Sequence, residues 1–196
     1  RLSLVGSEMC IRDRDWIVAF FHHPPYSKGS HDSDTEKQLV AMRNNFLPIL
    51  EANGVDLVLT GHSHSYERSY FINGHYGLSS TFDPVVHTVG ANGYLSGKDD
   101  TPDGAYVKSP TDTQGAVYIT TGSAGKISGG DLNHKAMYAS LNQLGSSVLE
   151  VGSDEGTGQK LTVKFLRDNG EIADYFTIHK TGDVSSGTEN EAPGSR

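Results

Sequence analysis

The chain has 196 residues, a formal net charge of −8, 35% hydrophobic residues and a single cysteine, Cys10. That length allows one substantial domain with a real core, and the negative charge argues against nucleic acid as partner, because such binding needs Lys and Arg to neutralise phosphates. A lone cysteine excludes an intrachain disulfide or a cysteine zinc cage, and no run approaches the roughly 18 apolar residues of a membrane span.

Residues 1–14 have neither helical nor strand periodicity and stop abruptly before a clean strand pattern. They resemble a peptide translated from sequencing-adapter DNA and are set apart, with Cys10, from a domain expected over residues 15–180. Trp16 to Phe21 is a continuous apolar run, predicted as a strand buried on both faces. From Ser33 to Ala52 the residues Leu39, Val40, Met42, Phe46, Leu47, Ile49 and Leu50 recur near helical spacing, with Asn53-Gly54 as a stop, so a crossover helix is predicted. Val55 to Thr60 is a second buried-type strand, which makes residues 16–60 one strand–helix–strand unit.

Beyond Ser69 short strands are broken by Gly, Asn, Asp and Pro. Strands are predicted at 85–89, 117–121, 147–151, 161–165 and 172–178, as a mainly antiparallel second sheet, with a short helix near Ala136 to Leu144. The loops at 95–114 and 122–142 are long enough to serve a site. Thr181 to Arg196 has almost nothing apolar and reads as a disordered linker or tail.

Two histidine clusters follow the two early strands. His22-His23-Pro24-Pro25-Tyr26 leads on to His31, and Gly61-His62-Ser63-His64 leads into Tyr66-Glu67-Arg68. Ligands of open α/β folds sit at the carboxyl ends of strands, where these imidazoles are placed. Two imidazoles diverging from one glycine-led turn suit two ions side by side better than one ion held by both. His22 from the neighbouring strand gives a third ligand. His23 is expected to pack or hydrogen-bond beside the site, and Glu67 and Arg68 are expected to pair with each other. His75, His87, His134 and His179 lie outside such contexts and are read as ordinary core or surface side chains.

His22-His23-Pro24-Pro25-Tyr26 together with Gly61-His62-Ser63-His64-Ser65-Tyr66-Glu67-Arg68-Ser69 resembles the last two motifs of the calcineurin-like metallophosphoesterases, and the Tyr-Glu-Arg extension is similar to the purple acid phosphatase branch. Gly122-Ser123-Ala124-Gly125-Lys126, Ala136-Met137-Tyr138 and Phe165-Leu166-Arg167-Asp168-Asn169-Gly170 resemble bacterial members of that branch. The resemblance implies an α/β fold, the carboxyl-terminal part of a four-layer α-β-β-α sandwich with a mixed sheet and a mainly antiparallel second sheet. It also implies His22 and His62 on a divalent metal, His64 on the other metal, and His31 near the scissile ester as general acid. The cofactors implied are two metal ions, iron with a zinc, manganese or iron partner.

The family also uses an Asp-x-His, an Asp-x-x-Tyr whose aspartate bridges the metals, and an Asn-His. None has a counterpart before Trp16, so the chain resembles a carboxyl-terminal fragment that lacks half of the dinuclear site and is expected to be inactive alone. For the intact parent the resemblance implies hydrolysis of a small phosphate monoester and a secreted or periplasmic location. Two alternatives stand beside it: a phosphodiesterase or nucleotide hydrolase, and a noncatalytic histidine-lined binding module. The oligomeric state, the substrate and the metals are not encoded in any motif.

Overall fold

Val18–Phe20 forms β1, which pairs in parallel with β2, Leu57–Thr60, and β2 pairs in parallel with β5, Val117–Thr121. The computed structural model describes residues 16–102, 104–109, 114–154 and 158–180, so the segments set apart at 1–14 and 181–196 lie outside the described residues. On the other side of β5 lie β3, Tyr66–Ser69, and β6, Met137–Leu141, both antiparallel to their neighbours. The first sheet therefore runs β1-β2-β5-β3-β6.

A second sheet runs β4-β9-β8-β7, with β4 at Tyr106–Lys108, β7 at Gly145–Asp154, β8 at Gly158–Arg167 and β9 at Ile172–Lys180. It is antiparallel except where β4 pairs with β9. Fewer strands belong to it than expected, because residues 117–121 insert into the first sheet as its central strand. Strand alternation fills both faces of that first sheet. Leu57, Val117 and Ile119 point into a core shared with Leu161, Val163, Phe165, Phe176 and Ile178 of the second sheet. Val58, Ala116 and Tyr118 face the opposite way, against Leu47 and Tyr26.

The connection between β1 and β2 is helical but not uniform. Lys37–Ala41 (α1) and Leu47–Ala52 (α2) flank a π-helical turn at Met42–Phe46. Within that turn Arg43 is buried, and its guanidinium donates to the carbonyls of Ser33 (2.6 Å), Tyr76 (3.1 Å) and Pro25 (3.4 Å). The wider turn thus aims a cation inward at the loop that carries His22 to His31, in keeping with π-turns at functional positions.

Three expectations are corrected. Residues 85–89 are not a strand: Asp83 caps a one-turn helix, Pro84–His87 (α3), its carboxylate accepting the Val85 N–H at 2.9 Å, with Pro84 in the first helical position. The helix expected near 136–144 is strand β6, because Met137 to Leu141 find unpaired backbone groups on β3 and tertiary pairing overrides local preference. The run 16–21 contributes an edge strand, with Phe20 81% exposed, in place of one buried on both faces.

The two sheets are tied by a buried ion pair. Arg68 on β3 donates to Asp174 on β9 from Nε (2.6 Å) and Nη2 (3.0 Å), the Tyr66 hydroxyl donates to the same carboxylate at 2.9 Å, and both ionic partners are almost wholly buried. At the edge near β4, buried Asp56 is met by Lys108 (2.8 Å) and Lys180 (2.7 Å).

His75 and His134 pack around Tyr26 in the second core, as their ordinary reading required. Burial lowers the ring of His75 to about 4 and that of His134 to about 3. The unfolded chain takes up protons on these rings near pH 6.5 and the folded chain does not, so their stability contribution is complete above pH 6.5 and declines as pH falls toward the folded values. The decline is at most about 1.4 kcal/mol per pH unit for each ring. Urea titrations between pH 7.5 and 4.5 should show stability falling with acidification, and His134→Asn should flatten that dependence. Equal slopes for the two proteins would refute a neutral His134.

Candidate metal centre

The parallel register of β1, β2 and β5 brings their carboxyl ends to one edge, with Phe20 beside Leu59 and Thr60 beside Thr120. His22 follows β1 directly. The turn 61–65 leaves β2, passes over the end of β5 and enters β3, whose Tyr66 lies opposite Thr121. That crossing is tight: a Cβ on Gly122 would lie 2.1 Å from the Ser63 carbonyl oxygen. The turn also forces His62 to φ 60°, a left-handed conformation that costs a non-glycine residue about 1 kcal/mol or more.

Four imidazoles meet there. Nε2 of His22 is 3.0 Å from Nδ1 of His62, and the ring of His23 lies 4.6 Å from that of His62. The ring of His31 is 3.8 Å from that of His62. His22, His23 and His62 form one group of donors able to hold a metal, and His31, Glu36 and His62 form another. Burial, and after it the neighbouring rings of His31, His23 and His22, lower the pKa of His62, which favours the neutral imidazole that a metal requires. The donors present therefore fit a cation.

His64 takes a separate place. Nδ1 of His64 lies 3.0 Å from Oγ of Ser128, its N–H donates to Oγ of Ser30 at 3.0 Å, and the Ser128 N–H donates to its carbonyl at 3.2 Å. Two imidazoles from one turn are thus held by different partners. The loop after β5 supplies Ser128.

Glu67 and Arg68 do not pair with each other, a correction with a simple cause: consecutive strand residues point to opposite faces. Glu67 is fully buried on the face away from Arg68 and accepts hydrogen bonds from Ser27 Oγ (2.5 Å), the Lys28 N–H (2.8 Å) and Ser65 Oγ (3.1 Å). Burial raises its pKa against the lowering effect of these donors. The contact fastens the loop that carries His31 to the strand that follows His62 and His64. Gly29 lies so close to the turn that a Cβ would fall 2.2 Å from Ser65 Oγ and 2.3 Å from Ser63 Oγ.

Sequence reasoning passed over Glu36, which accepts from Nδ1 of His31 at 2.9 Å and from the Asp32 N–H at 3.1 Å. Its only signal is a carboxylate five residues after a candidate histidine. Ser30 and Ser128 carried no signal at all, since their role depends on the meeting of two loops distant in sequence.

The sequence profile of the family described as Calcineurin-like phosphoesterase matches residues 4–66, a match that starts within the segment set apart at 1–14. Purple acid phosphatase 18 of Arabidopsis thaliana is 36% identical over 94 residues, which are 45% of this chain and 20% of that protein. Phosphoenolpyruvate phosphatase of Allium cepa is 34% identical over 106 residues, 47% of this chain and 21% of that protein. The structure of purple acid phosphatase PPD1 from yellow lupin (Lupinus luteus) seeds superposes with a TM-score of 0.56 at 15% identity, covering 92% of this chain and 28% of that one. The chain thus spans about a fifth of the curated relatives it matches, and the lupin structure shares its fold.

Glu67→Ala should lower stability by roughly 2–3 kcal/mol, because it leaves the Lys28 N–H and two serine hydroxyls buried without their acceptor. Hydrogen exchange at the Lys28 amide should accelerate with it. Unchanged protection of that amide would show that Glu67 does not hold the loop.

Proposed function

We propose that this chain, which carries part of a calcineurin-like metallophosphoesterase domain and has purple acid phosphatases among its relatives, is the histidine-bearing part of an enzyme that hydrolyses phosphate monoesters. The observation that supports it most is the 3.0 Å approach of His22 Nε2 to His62 Nδ1 at the carboxyl ends of parallel strands. His22 and His62 hold one ion in this reading, and His64, engaged separately by Ser128, holds the other. Iron with a zinc, manganese or iron partner is the pair the sequence resemblance favours. When bound, the ions supply Lewis acidity and charge neutralisation at the phosphoryl group.

The chain's own contribution to the reaction is made by His31. Its Nδ1 is engaged by Glu36, which leaves Nε2 to carry a proton to the departing alkoxide, so that the leaving group departs as a neutral alcohol. Glu67 holds the loop beneath His31, so the donor stays at a fixed distance from the ions' ligands. The substrate is a small phosphorylated molecule, and a secreted or periplasmic location rests on the resemblance alone. No helix among the described residues is long and apolar enough to cross a membrane.

A second reading is favoured by the donor set itself. Among the described residues the two metal-competent groups include one carboxylate, Glu36, whereas two highly charged ions need more anionic oxygen to balance them. The chain by itself is therefore a histidine-lined binding module with negligible turnover.

Assayed with chromogenic monoester and diester substrates, the enzyme that contains this chain should prefer the monoester. His62→Ala should lower its turnover by at least about a hundredfold, the upper end of the loss expected for an outer partner of a metal ligand, whereas His179→Ala should leave it unchanged. Equal effects of the two substitutions would contradict the site assignment, and a preference for the diester would replace the monoester reading.

A further inference from the structure

The ring of His62 stands between two donor sets. Its Nδ1 faces Nε2 of His22 at 3.0 Å, and its Nε2 faces Oε2 of Glu36 at 3.8 Å. The nitrogen that faces Glu36 has no part in the catalytic reading given above. On that side Nδ1 of His31 is 2.9 Å from both carboxylate oxygens of Glu36. Donors bound at about 2.0–2.1 Å to a tetrahedral ion lie about 3.3 Å from one another, so separations of 2.9 and 3.8 Å bracket the edge of such a site. The carboxylate is fixed from behind by the Asp32 N–H at 3.1 Å, and the ring of His31 lies 3.8 Å from that of His62. The donor atoms that His31, Glu36 and His62 offer all lie within 4.8 Å of one another.

We propose that His31, Glu36 and His62 form a second cation site, selective for a borderline-soft divalent ion such as Zn²⁺, on the side of His62 remote from His22. Two imidazole nitrogens and one carboxylate oxygen suit zinc, and they disfavour magnesium, which keeps its water and asks for oxygen donors. Entry of the ion displaces the proton from Nδ1 of His31 to solvent. The bound ring stays neutral, with its remaining proton on Nε2. The site stands independently of the role of His31 proposed above.

Titration of the 196-residue chain with Zn²⁺ alone, followed by long-range ¹H–¹⁵N spectra of the imidazoles and by calorimetry, tests the site. The expected result is one binding event that moves Nδ1 of His31 and Nε2 of His62 and a distinct one that moves Nε2 of His22. Glu36→Gln should weaken the first at least tenfold and spare the second, and His64→Ala should leave the first unchanged. Glu36 is part-exposed on a loop, so its replacement preserves the fold. Insensitivity of the His31 event to Glu36→Gln, or an equal response to Mg²⁺, would overturn the proposal. Loss of the His22 event alone would count against the catalytic ion and leave this site standing.

Discussion

The convergence of the histidines depends on β3, where two consecutive residues of opposite charge are both fully buried and point in opposite directions. Arg68 reaches into the space between the sheets and is answered there by Asp174, the Tyr106 hydroxyl and the Ser96 carbonyl. Its guanidinium also lies over the rings of Tyr138 (4.3 Å) and Phe176 (5.1 Å). Removing one partner of such a pair leaves an uncompensated interior charge and costs roughly 3–5 kcal/mol. Glu67 reaches the other way, into the loop between His22 and His31. One strand thereby fixes both the second sheet and the histidine loop, and it begins where the His62–His64 turn ends.

The loops at the site are held by polar groups in place of a large apolar contact. Arg43 from the π-helical turn binds three carbonyls of the surrounding loops, Glu67 binds the serines and the Lys28 amide, and Leu132 donates to the Lys28 carbonyl at 2.7 Å. Every such contact is directional, so each sets a position as well as a stability. Loops on a rigid sheet edge, cross-tied in this way, can hold imidazoles at ligand spacing. The left-handed backbone of His62 is the local strain that the surrounding contacts sustain.

Much of this was legible in the residues. The apolar runs ending at Phe21 and Thr60 announce strands, and the histidines after them fall at the strand ends because chain continuity leaves no other place. The separation of His62 from His64 follows from the turn that carries them. Expectations failed where a local helix cap was passed over or where distant partners decide. Val85 and Val86 look like strand residues, yet Asp83 and Pro84 start a helix, and both valines remain largely exposed. Glu67 and Arg68 look like an ion pair to a reader of adjacent letters, but strand geometry separates them and Asp174 lies 106 residues away. Glu36 and Ser128 are ordinary residues until the fold brings them to His31 and His64.

The most direct test of convergence is a double-mutant cycle on Zn²⁺ affinity in a Glu36→Gln background, with His22→Ala, His62→Ala and the pair measured by competition against a chromophoric chelator. Shared coordination of one ion predicts strong coupling, with the double variant binding little worse than either single variant. Independent, additive losses would mean that the two imidazoles serve separate ions or none, and would contradict the account of the site.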